Sequence, residues 1–215
     1  MIRYWIFLGL TLIALTGCSS LLLPTSPPPG YYRLEYQTVG VECAKSFTGG
    51  LRVWDFTTSS PFDQRDMVVI DHEQKVSFSG SYEWIAPPGT MLAESLLRDL
   101  DEGSLFPQVV SGDSPIDVPL ALTGHVFTFA WVRQGSTARA VLQVEVSLSS
   151  TGATNRLIFH RNYELTSEPF TEDTAAAFAG AMSGIVSQFS QQLQGDLCFL
   201  GEGSGSSIDK IPLIE

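Results

Sequence analysis

Basic residues are scarce in this chain. Its 215 residues include 12 Lys and Arg against 23 Asp and Glu, a formal net charge of −11. No basic stripe is available to neutralise a phosphate backbone, so nucleic acid is excluded as a partner. Charge of either sign is sparse, at 16%, while apolar residues make up 44%. That balance belongs to a globular chain and not to a disordered one. Three cysteines and three histidines leave little material for a metal cluster, and neither metal nor cofactor is expected. Enzyme signatures are missing as well. The sequence holds no Gly-x-Ser-x-Gly, no His-Glu-x-x-His and no phosphate-cradling P-loop. There is no internal repeat, and the length suits one domain with a tail.

What is present begins at the N-terminus. Met1-Ile2-Arg3 gives a short positive start, and Tyr4 to Leu15 is an almost unbroken apolar run. The run is too short for a spanning helix, which needs roughly 20 apolar residues. It ends at Leu15-Thr16-Gly17-Cys18, so residues 1–17 read as a secretory signal peptide. The quartet resembles the lipobox of bacterial lipoproteins, which implies cleavage before Cys18 and acylation of both its thiol and the new N-terminus. More than one acyl chain anchors stably, whereas one alone is marginal. The next residue is Ser19 and not Asp, which, by resemblance to the sorting rule of Gram-negative lipoproteins, favours the outer membrane. Only Arg3 is charged among residues 1–17, so the mature chain carries 11 basic and 23 acidic residues, or −12. Such a body does not adhere to anionic headgroups by charge, and the acyl chains must hold it. Residues 18–30 form a lipidated, Pro-rich tether, expected to be extended and to lift the domain from the membrane.

Cys43 and Cys198 remain in an oxidising compartment. A disulfide between them is expected; two separate buried thiols are the alternative.

Alternation of apolar and polar residues predicts strands over Leu51–Phe56, Met67–Ile70, Val76–Trp84 with a bend at Gly80, Leu120–Arg133, Ala138–Leu148 and Arg156–Leu165. Tyr31–Tyr36 reads as a strand or an extended arm, and Phe106–Val110 starts a further strand. Turn signals at Gln134-Gly135-Ser136 and Ser150-Thr151-Gly152 join the last three long runs into an antiparallel meander. Arg139, Gln143, Glu145 and Ser147 make one face of its middle strand wet. A helix opens at Pro87-Pro88-Gly89, carries Leu92, Leu96 and Leu100 on one stripe, and stops at Gly103. A second helix is capped by Thr171, runs to about Leu193 and stops near Gly195, with Phe178, Met182, Ile185 and Phe189 inward. The fold class is therefore α+β: a mixed, largely antiparallel sheet with two main helices on one face. The domain spans residues 31–200, and 201–215 form a flexible tail.

Candidate site residues are few, and none is catalytic. Asp71-His72-Glu73 places three ligand types together but reads as a solvated turn. His125 and His160 read as ordinary strand residues, and Ser204 sits in a Gly/Ser tail that cannot hold a catalytic geometry. Phe127, Phe129 and Trp131, assigned to one face, are the candidate apolar surface for a lipid or a partner; core packing under the helices is the competing and favoured reading. Gly180-x-x-x-Gly184 lies on a helix too polar to span and reads as close packing.

Three stretches carry a family resemblance. Tyr31-Tyr32-Arg33-Leu34 follows the lipobox and tether. Tyr82-Glu83-Trp84-Ile85-Ala86-Pro87-Pro88-Gly89-Thr90-Met91-Leu92 leads into the first helix, and Leu105-Phe106-Pro107-Gln108-Val109 follows it. In this order they resemble the ABC-type transport auxiliary lipoproteins, a PqiC-like family, over roughly Tyr31 to Leu197. The resemblance implies a mixed α/β domain that is not an enzyme. It implies an accessory of an MCE-type lipid transport system, placed on the periplasmic face of the outer membrane of a Gram-negative bacterium. The implied partners are an MCE-domain protein, phospholipid and further copies of the chain. The alternative is a structural or regulatory outer-membrane lipoprotein for envelope or cell-wall assembly.

Overall fold

The computed structural model describes residues 29–203, apart from Val39, Lys45, Ala153 and Thr154. The expected signal peptide, Cys18, the expected tether up to residue 28 and the expected tail from Ser204 lie outside the described residues.

One long strand organises the sheet. In chain order the elements are β1 (Gly30–Tyr32), β2 (Leu51–Val53), β3 (Thr57–Thr58), β4 (Asp66–Ile70), β5 (Val76–Trp84), α1 (Pro88–Glu102), β6 (Val109–Ser111), β7 (Leu120–Gln134), β8 (Thr137–Ser150), β9 (Leu157–Thr166) and α2 (Ala175–Gly203). Along one edge of β7, β2 and β3 pair parallel with its first half and β4 with its second. Its other edge takes β8 antiparallel over nearly its whole length, and β9 follows antiparallel on β8. On the far side of β4 the order continues through β5 to β1, and beyond β2 lies β6. The sheet is mixed, with long antiparallel ladders and short parallel ones.

Strand β8 shows why the meander forms. Ala138, Ala140, Leu142, Val144, Val146 and Leu148 are buried, while the residues between them are half-exposed. A period of two thus sends one row to the core and the other to water. Gly135 holds the left-handed φ of +61° that the tight β7–β8 turn needs.

The helices cover one face of this sheet. In α1, Leu92, Leu96 and Leu100 are fully buried, and Pro88 occupies the first turn, where its missing N–H costs nothing. Gly89 packs against the backbone carbonyl of Phe56 so closely that a Cβ would collide with it. Gly103 does end the helix, but in extended conformation (φ −80°, ψ 168°) and not in a left-handed cap. Helix α2 differs more from expectation. Thr174, not Thr171, caps it, accepting the Ala177 N–H at 3.2 Å. It also runs through Gly195 to Gly203, because Leu193, Leu197 and Cys198 continue the buried stripe.

Three expected strands are shorter than the alternation suggested. β2 stops at Val53, short of Phe56. β1 stops at Tyr32, and the chain continues as an arm along both helices. The Glu35 N–H donates to Ser183 Oγ (3.0 Å) and the Val41 N–H to Gln194 Oε1 (3.5 Å), both on α2. On α1 the buried Asp99 carboxylate accepts from Tyr36 Oη (2.6 Å) and Thr38 Oγ1 (3.1 Å), and pairs with Arg98 at 3.0 Å. β6 begins only at Val109, because Phe106 turns inward to stack on Phe47 at 4.7 Å. The arm ends in a disulfide between Cys43 and Cys198, with their Cα atoms 5.5 Å apart.

Candidate functional site

The two faces of the sheet differ in what they can offer. The helix face is filled. Trp131 stacks on Phe178 at 5.3 Å, and Trp84 meets Phe129 and Phe178 edge-on at 5.3 and 5.4 Å. Phe129 and Trp131 are 1% and 2% exposed. They are core residues and present no surface to a lipid or a partner.

Phe127 parts company with them. The β7–β8 register shifts between Val126 and Thr128, so β7 carries an extra residue there. Such a bulge re-aims one side chain and breaks the period of two. Phe127 is turned to the open face, 44% exposed. The expected one-faced trio is therefore divided.

Around Phe127 the open face is shallow and polar. With Gln143, Asn162 and Glu164 it lines a depression of about 200 Å³, smaller than the ~300–1,000 Å³ of ordinary small-molecule pockets. Thr128 Oγ1 donates to Gln143 Oε1 (2.8 Å), and Gln143 Nε2 donates to Glu164 Oε1 (3.1 Å). The His125 ring sits edge-on to Phe127 at 4.6 Å. Its Nδ1 bonds Thr57 Oγ1 and its Nε2 bonds Ser59 Oγ, each at 2.7 Å. The sequence reading missed these hydroxyls, which lie 68 and 66 positions away. They satisfy both ring nitrogens and fasten the β3 segment to β7.

The other singled-out residues have local partners. Asp71 Oδ1 accepts the backbone N–H groups of Glu73 (2.9 Å) and Lys75 (3.0 Å), closing the β4–β5 turn. The Lys75 amide in particular holds the Asp71 carboxyl below the usual carboxylate range. His72 projects into solvent beside Glu73. His160 bonds Ser147 Oγ at 3.0 Å through Nδ1 and lies 3.8 Å from Glu145. Gly180 and Gly184 have nothing within 4 Å of where a Cβ would sit, so close packing does not explain them.

Two tyrosines lock the helices. Tyr36 reaches Asp99, and Tyr163 Oη donates to Asp196 Oδ2 at 2.7 Å, where Arg161 also binds. Burial first, and the adjacent carboxylate second, push both phenols well above their ordinary 10.0. In the unfolded chain they ionise near that value; in the fold they stay neutral. Their contribution to stability is complete below pH 10 and is lost as pH rises beyond it. Urea midpoints should therefore fall between about pH 9 and about pH 11, and fall less in the Tyr36→Phe, Tyr163→Phe double variant. An equal fall in both proteins would show that other groups govern alkaline unfolding.

Comparison with known proteins places these features. The family described as "ABC-type transport auxiliary lipoprotein component" matches residues 44–194. No curated protein matches the chain. Among solved structures, a Xanthomonas campestris protein of the DUF330 family is similar, with a TM-score of 0.71 and 17% identity over 81% of this chain and 98% of that one. A second solved structure, of an uncharacterized protein, is similar with a TM-score of 0.56 and 17% identity over 80% of this chain and 98% of that one. At such identities the structures speak for the fold alone. No helix among the described residues is long and apolar enough to cross a membrane. The family match spans the sheet from β2 onward and both helices as far as Gln194, and on that ground the chain belongs to the ABC-type transport auxiliary lipoprotein component family.

Proposed function

We propose that the chain is a non-catalytic lipoprotein accessory of an MCE-type ABC lipid transporter, anchored through Cys18 in the outer membrane on its periplasmic face. The family match supports the transport role. The observation that carries the reading further is the division of the sheet. Its helix face is closed by Trp84, Phe129, Trp131, Phe178 and Phe189, leaving the core no room for an acyl chain. A domain built this way works through its exterior, as a docking component beside the lipid route.

Gentle detergent extraction of the acylated protein, with identification of what accompanies it, tests the reading. An MCE-domain protein with phospholipid is the expected result. Cell-wall enzymes or assembly factors without an MCE protein would favour the envelope-scaffold alternative. The anchor is tested separately. Cys18→Ser should move the protein from the membrane to the soluble fraction with its urea midpoint unchanged. A variant that still sediments with outer membranes would refute the role of Cys18.

A further inference from the structure

The open edge of the sheet beside β1 carries apolar side chains that the core does not use. Val76 and Phe78 on β5 are 45% and 49% exposed, Tyr82 41%, Ile85 59% and Tyr31 on β1 56%. Elsewhere in the described residues large apolar side chains are mostly buried, so this concentration along one edge is unusual for a free surface. β1 covers β5 only at Tyr82–Trp84. Among the described residues, no strand pairs with Val76–Phe78 on the side away from β4.

The direction of β1 says what lies next to this edge. β1 runs parallel to β5, with Gly30 beside Tyr82 and Tyr32 beside Trp84. The described chain therefore enters β1, at Pro29, from the side of the start of β5, where Phe78 and Val76 stand. Cys18 is 12 positions upstream of Gly30, a reach of at most about 40 Å even for a fully extended chain. Pro27, Pro28 and Pro29 lack the N–H groups needed to continue β1 along the open edge. The chain's own tether is thus a poor occupant for it.

We infer that this edge, formed by Tyr31, Val76, Phe78, Tyr82 and Ile85, rests on the phospholipid surface in which the Cys18 anchor is embedded. The inference rests on the acylation reading above. Tyrosines suit the boundary between headgroups and acyl chains, with an apolar ring and a polar tip. The flanking charges lean acidic, with Arg65 and Lys75 against Asp66, Asp71, Glu73 and Glu83. Arg65 pairs with Glu83 at 3.0 Å while lying over the Tyr31 ring at 5.6 Å, and the Lys75 backbone N–H donates to the Asp71 carboxylate. Contact is therefore apolar and suits zwitterionic lipid, in keeping with a body too acidic to be held by charge. The proline tether in this arrangement permits separation from the bilayer without enforcing it.

The test uses the full acylated protein in phosphatidylethanolamine–phosphatidylcholine vesicles, with the photo-crosslinker p-benzoylphenylalanine at Tyr31, Phe78 or Phe127. All three positions are exposed, so the probe leaves the fold intact. Phospholipid adducts several-fold more abundant at Tyr31 and Phe78 than at Phe127 are expected, with little change between low and high salt. Vesicles that float with the protein but give equal labelling at all three positions would overturn the surface and leave the anchor standing. Adducts at Phe78 to a second copy, or to another protein in native membranes, would overturn it in favour of a protein interface. Failure of the protein to float would remove the anchor and this inference with it.

Discussion

Replacing Cys43 and Cys198 together by serine is expected to lower the unfolding free energy by about 2–4 kcal/mol. The bond joins residues 155 positions apart. In the chain-entropy view it removes loop-closure entropy from the unfolded chain, and the benefit grows only logarithmically with loop length. Its position adds a local effect. It closes the arm that lies along α1 and α2, so its loss should free the arm from the helices before the sheet opens. Urea unfolding of the oxidised protein and of the double variant measures the first effect. Hydrogen exchange at the Val41 amide, which donates to Gln194, measures the second. A change below about 0.5 kcal/mol would lie within the range of an ordinary surface substitution and would show that the pair does not constrain the native chain.

Truncating Phe178 to alanine should cost about 3–5 kcal/mol, the range for a large buried aromatic. Its ring is fully buried between Trp84 and Trp131, and it is the point where α2 meets β5 and β7. Two indoles cannot collapse into the space it leaves without abandoning their own packing, so a cavity should remain. Phe127→Ala makes the contrast. That residue carries the same side chain but stands on the open face, and its loss should cost no more than about 0.5–1 kcal/mol. Thermal or urea unfolding of the two variants compares them directly. Equal losses would mean that the β7 bulge does not turn Phe127 outward.

The two phenylalanines also show the limit of periodicity. Phe127, Phe129 and Trp131 alternate in sequence, and nothing local distinguishes the first from the others. The register shift that separates them depends on β8, whose Val144 and Gln143 face Val126 and Thr128. A bulge belongs to a pair of strands, and one strand's pattern does not contain it. The same holds for the hydroxyl partners of His125 and of Asp99, which come from segments about 60 or more positions away. Helix ends failed for a related reason. Thr171 and Gly195 carry the right local chemistry, but the Thr174 cap and the continued burial of Leu197 and Cys198 outweigh it.

By itself the sequence determined the class of the fold, the meander of β7 to β9 and the inward stripes of both helices, because those follow from periods of 2.0 and 3.6 along uninterrupted stretches. It also carried the motifs of the family and the lipobox-like quartet at Cys18, since such signals are local. Only the tertiary structure decided that β7 splits its edge between β2, β3 and β4. It likewise decided that the arm is tied to both helices, that Phe127 faces away from Phe129 and Trp131, and that apolar side chains gather along the sheet edge beside β1. These are relations between segments far apart in sequence, settled by which packing buries the most apolar surface while leaving nearly every buried polar group a partner, Trp131 Nε1 being the exception among the described residues.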